Sequence, residues 1–207
     1  MGFNKDSKQA LSLQPSAENA RLFSLWQAAR DQKGRVRRDA LGLRALSQFH
    51  EKLFIMERFA GDGLRLRLAG AQLNRLWGSN MRGRDLREKA GDFEDVVLGR
   101  LFNHCMNYAD PILARLRLLR LTQEPMVAEL LGLPLLNPQD EVQILGALLL
   151  LDEYEQNPIK FESISTIQII ATRILTGEMQ SNLLIFPFAK QIFLQNSMNS
   201  EEFIFTR

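Results

Sequence analysis

The sequence predicts an α+β domain built on one antiparallel five-stranded sheet with flanking helices and a leading amphipathic helix. Three observations carry this. Residues 53–69 read as a β-hairpin, with Asp62-Gly63 as its turn and strict alternation in Leu64-Arg65-Leu66-Arg67-Leu68. Three strand-like runs, 112–121, 126–136 and 142–151, are joined by Thr122-Gln123-Glu124-Pro125 and Asn137-Pro138-Gln139-Asp140, connectors too short for crossover helices. Two stretches with helical spacing of apolar residues flank the hairpin.

The elements follow in order. Residues 1–15 are polar and read as a flexible tail. Ser16 is a fitting N-cap for the first helix, with Leu22, Leu25, Trp26 and Ala29 on one face and Gly34 as its stop. Arg35, Arg37 and Arg38 form a compact basic cluster after it. A short helical piece, 43–49, leads to the hairpin. Leu73, Leu76 and Trp77 give one helical face that ends at Gly78. A longer helix is expected over 92–108, with Asp92, Glu94 and Asp95 in the first turn, where the helix dipole favours acids. The last two strands are apolar on both faces, so both sides of the sheet must be covered: one by the inner helices, the other by the first helix or another subunit. The domain is expected over 16–153. Residues 154–207 form a C-terminal extension, in which 165–175 alternates as a further strand would, a buried helix being the other reading.

At 207 residues the chain can hold one ordinary domain and an appendage. Its net charge is +2, divided unevenly: residues 1–120 carry +9 and residues 121–207 carry −7. The single cysteine, Cys105, excludes an internal disulfide and a Cys₂ or Cys₄ metal site, and fits a reducing compartment. The N-terminus lacks an apolar signal core, and no apolar run approaches the ~20 residues that span a bilayer, so a cytoplasmic location is expected.

The stretch Arg67-Leu-Ala-Gly-Ala-Gln-Leu-Asn-Arg-Leu-Trp-Gly-Ser-Asn-Met-Arg-Gly-Arg-Asp-Leu86, with Leu25-Trp26, Leu133-Pro134-Leu135 and Ile144-Leu-Gly-Ala147, resembles a bacterial PAS-related family of unknown function, widespread in alphaproteobacteria. The resemblance covers about residues 21–153. The chain departs from the family at Ala71, where a threonine is usual, and at Val36 and Gly42, near which prolines are usual. The resemblance implies a sensory or interaction module, not an enzyme, with a small pocket between sheet and helices. In that frame Met56, Leu66, Leu68, Trp77, Leu101, Phe102, Cys105 and Leu116, with Leu73 and Leu118, are the candidates to line the pocket.

The remaining candidates are weighed by chemistry. Neighbours on a helix point ~100° apart, so His104 and Cys105 cannot act as a pair. His104 lies on the helix where haem-binding PAS domains carry an iron ligand, but a partly exposed surface histidine is the better reading. The Asn-Cys-Arg motif of photosensory flavin domains is absent. No glycine cluster matches a phosphate-binding loop, and no carboxylate pair has the apolar setting that acid–base work needs. No cofactor, metal or catalytic residue is therefore expected. The arginines lack a basic helical face and interleaved aromatics, which disfavours nucleic acid. A homodimer acting through a protein signalling partner is the leading expectation, with Leu22, Leu25, Trp26, Arg35, Arg37 and Arg38 as candidate contacts. A small-molecule sensor with an occupied inner pocket is the alternative.

Overall fold

The computed structural model describes residues 13–60, 63–151, 163–175 and 183–184. The expectations for residues 1–12, and for most of the C-terminal extension, lie outside them. The elements are α1 (Ala17–Ala28), α2 (Leu43–Leu46), β1 (Leu53–Phe59), β2 (Gly63–Ala69), α3 (Ala71–Trp77), α4 (Asp92–Tyr108), β3 (Ile112–Leu119), β4 (Met126–Leu136), β5 (Val142–Leu150), β6 (Thr166–Ile174) and the two-residue β7 (Leu183–Leu184). All strand pairs are antiparallel, in the order β2-β1-β5-β4-β3-β6-β7. The predicted five strands thus form the main body of the sheet. The alternating run at 165–175 lengthens it, since β6 pairs with β3 along Ile112–Leu119.

Both sheet faces are buried, as the two-sided apolar pattern of β4 and β5 requires. On the inner face Phe54, Met56, Leu66, Leu116, Leu130, Ile144 and Leu148 meet α3 and α4 through Leu73, Trp77, Leu98, Phe102 and Cys105. The fit is close: a Cβ on Gly146 would lie 1.9 Å from the ring of Phe54. On the outer face Leu53, Leu113, Leu131, Leu133, Leu135 and Leu145 form a second core with Leu22 and Trp26 of α1. Leu13, within the expected tail, is buried in that same core.

The first helix is shorter than its sequence pattern suggests. It starts on Ser16, whose hydroxyl accepts from the Asn19 amide, but ends at Ala28 rather than near Gly34. The Asp31 carboxylate accepts from the backbone amides of Lys33 and Arg35, both at 2.8 Å. This side-chain-to-backbone turn competes with continued helix. Gly34 still marks a turn, at φ +76°.

α1 is fixed to the sheet by polar contacts at both ends. Glu129 on β4 is fully buried on the outer face. Its carboxylate accepts from the Ser16 amide at 2.8 Å, the Asn19 side-chain amide at 2.9 Å and the Arg115 guanidinium at 2.7 Å. A buried acid here is paired, and it also supplies negative charge where the helix dipole is positive. At the other end the Trp26 indole donates to the Pro134 carbonyl at 2.8 Å. Glu129→Ala leaves Arg115 and the helix start without their acceptor, and should cost about 3–5 kcal/mol in urea unfolding. Trp26→Phe strands the Pro134 carbonyl and should cost about 1–3 kcal/mol. Losses below about 0.5 kcal/mol for both, the range of ordinary surface changes, would mean that α1 is not held this way.

Candidate functional site

The inner face gathers most of the residues chosen from sequence. Met56, Leu66, Trp77, Leu101, Phe102, Cys105 and Leu116, with Leu73 and Leu118, all belong to one buried cluster. Leu68 does not. The hairpin register slips between Ile55, which faces Leu68, and Met56, which faces Leu66. Arg67 is the extra residue of a β-bulge, and the bulge turns Leu68 from the inner to the outer face.

Polar groups at this face are few. The buried Gln72 side chain donates to the Leu148 carbonyl at 3.0 Å, whereas the buried Trp77 indole nitrogen has no hydrogen-bond partner. Burial pushes the Cys105 thiol far up, with Asp110 adding to the rise, which suits a packed hydrophobe and not a nucleophile. His104 is half-buried, its Nε2 lies 2.9 Å from an Asp110 carboxylate oxygen, and its ring tilts against Tyr108 at 4.7 Å. Among the described residues, no group of three or more His, Cys, Asp or Glu is placed to hold a metal ion.

Among the described residues, the outer face is only partly covered. α1 lies over its centre, with Leu22 and Trp26 buried against the chain's own sheet and Leu25 half-buried. These three are therefore spent, wholly or partly, on an internal contact rather than held out to a partner. Between the 37–50 segment and the sheet runs an open groove of about 720 Å³. Its floor is Leu53, Ile55, Leu68, Leu135 and Leu145, and its wall includes Leu43 and Leu46. Leu43 is 86% exposed and Leu68 is 45% exposed. Sequence reasoning missed this groove. The bulge hid the turn of Leu68, while Leu43, an apolar residue between Gly42 and Arg44, was the signal on offer.

The predicted basic cluster divides on inspection. Arg35 pairs with Asp31 at 3.2 Å, away from the groove. Arg37 pairs with Asp140 and lies 3.8 Å from Asp39. Arg38 lines the groove with no ion-pair partner among the described residues. The strand arginines are held locally. Arg65 and Arg67 meet Glu57 at 2.8 Å and 3.5 Å. Partial burial pushes the Glu57 carboxyl up, but Arg65, Arg67 and Gln143 outweigh it and hold the group below its ordinary value.

An antiparallel sheet with core order β2-β1-β5-β4-β3, helices on its inner face and a leading helix across its outer face is the arrangement of the PAS class. The family described as PAS domain matches residues 14–149. The chain belongs to this PAS family. Two solved structures are similar at low identity. A light-oxygen-voltage domain studied with a flavin analogue is 17% identical, over 54% of this chain and 85% of that one, with a TM-score of 0.42. The Rhodobacter sphaeroides LOV protein is 16% identical, over 64% of this chain and 68% of that one, with a TM-score of 0.41. No curated protein sequence matches the chain. Among the described residues no helix is long and apolar enough to cross a membrane.

The raised Cys105 pKa gives a test of how closed the inner core is. The folded protein should leave Ellman's reagent unreacted at about pH 8 and release one equivalent on unfolding in urea. Because the folded value lies above the ordinary 9.0, the thiol's contribution to stability is intact below that pH and falls as pH rises past it, where only the unfolded chain ionises. Cys105→Ala should remove that part of the alkaline loss. Rapid labelling of the native thiol would show an open inner face instead.

Proposed function

We propose that the chain is a non-catalytic, cytoplasmic PAS module that works in signal transduction through protein partners docked on the uncovered strip of its outer sheet face. The observation that carries this reading is the groove between the 37–50 segment and the sheet. Among the described residues the outer side of the two-faced apolar sheet is covered by α1 and the 36–49 segment, and this cover leaves Leu68 at the sheet edge and Leu43 on α2 in water. Two copies of the chain meet there when nothing else does, so the protein should sediment as a dimer at tens of micromolar. Leu43→Asp with Leu68→Asp should return it to a monomer with an unchanged far-UV circular dichroism spectrum. A strict monomer for the unmodified chain would contradict self-association.

A second reading, a small-molecule sensor, is supported by one observation: the unpartnered indole nitrogen of Trp77 in the inner core. A buried donor of this kind is satisfied when an acceptor sits beside it. Native mass spectrometry and an absorption spectrum of the purified protein test it directly. A bound mass that is lost in Trp77→Phe supports the sensor reading. A clean apo mass, with no thermal shift across a metabolite panel, goes against it.

A further inference from the structure

We infer that the groove takes an amphipathic helix with an acidic flank, contributed by a protein partner. The inference rests on the docking reading above and adds the occupant's chemistry. Its first support is the floor. Ile55 stands opposite both Leu68 and Leu145, and Leu145 stands opposite Leu133. Leu68, Ile55, Leu145 and Leu133 therefore form one unbroken apolar row across β2, β1, β5 and β4. Its open part, from Leu68 to Leu145, covers two strand spacings, about 10 Å, which is nearly two turns of helix. The row is closed at its Leu133 end, where Trp26 bonds the neighbouring Pro134, and open at its Leu68 end. A helix laid along it would present apolar residues at i, i+3 or i+4, and i+7.

The second support is the sheet edge. An extended peptide would need free backbone groups on β2. The Leu66 amide already donates to the Arg84 carbonyl at 2.8 Å, and the Leu66 carbonyl accepts from the Gly83 amide at 2.7 Å. Strand addition is thus blocked at the middle of β2, and a face-on helix is the mode that fits.

The third support is charge. Arg37, Arg38 and His50 stand on the rim, and Arg44 is exposed on α2 beside it. Asp140 and Asp39 answer Arg37, and Glu51 lies 3.9 Å from His50. Arg38 and Arg44 have no ion-pair partner among the described residues. A second copy docked about a two-fold axis sets this basic rim against itself, so self-association is the weaker use of the groove and an acidic partner displaces it. Acidic side chains flanking an apolar stripe complement it.

The test uses the full chain and two capped synthetic peptides of about fourteen residues, enough to cover the row. Both carry leucine at i, i+3, i+4 and i+7, one with glutamate on its flanks and the other with lysine. Fluorescence anisotropy should show the acidic peptide binding at least about tenfold more tightly at low salt, with the preference shrinking as salt rises. Arg38→Glu with Arg44→Glu should abolish or invert the preference. Leu68→Asp should weaken both peptides, with circular dichroism confirming its fold. Equal binding of the two peptides would overturn the acidic assignment while leaving the groove a docking surface. Binding of neither, with self-association through Leu43 and Leu68 retained, would make a second copy the occupant and overturn the inference alone. Loss of both peptide binding and self-association would overturn the docking reading with it.

Discussion

A sheet whose central strands are apolar on both sides has to be covered twice. In this chain β4 and β5 impose that demand, with Leu130, Ile144 and Leu148 on one face and Leu131, Leu133 and Leu145 on the other. The inner face meets it with α3, α4 and the turns between them. The outer face has a twelve-residue helix, too short to stabilise itself without tertiary contacts. Its place is set by the buried Glu129 carboxylate at one end and the Pro134 carbonyl at the other. The groove lies where the 37–50 segment, rather than that helix, passes over the sheet.

The same arrangement explains why charge proved a poor guide. The excess of +9 in residues 1–120 and −7 in residues 121–207 suggests two halves that neutralise each other across the sheet. Among the described residues, most ion pairs instead close within the basic half: Arg35 with Asp31, Arg65 with Glu57, Arg84 with Glu88, Arg87 with Asp85. Two cross between the halves, Arg37 with Asp140 and Arg115 with Glu129. The second is structural, because its acid is fully buried. Of the arginines without an ion pair among the described residues, Arg38 and Arg44 are the ones that stand at the groove.

Much of the fold was legible because its signals are local. Hairpin chemistry, short connectors and acids at a helix start each specify an element, and the two-sided apolar pattern of β5 required a second covering layer. The inner lining was legible for the same reason, since alternation along β1 and β3 assigns Met56 and Leu116 to one face. Misreadings occurred where one residue acts at a distance or breaks a period. Arg67 bulges and reverses Leu68. Asp31 captures two amides and ends α1 early. Glu129 has no local signal of burial, since Ser16, Asn19 and Arg115 converge on it from 14 to 113 residues away. The groove had no sequence signature of its own, being assembled from β1, β2, β4, β5 and α2.

The outer face has two regions of different character: a strip sealed by α1, and a strip open toward the Leu68 edge. Hydroxyl-radical footprinting of the dilute full chain reads this directly, residue by residue. Heavy oxidation at Leu43 and Leu68, with protection at Leu131 and Leu133, is the result the account predicts. Equal oxidation of all four would contradict it, because α1 would then not be seated on the sheet. Equal protection would do so as well, because the groove would already be filled by the chain itself.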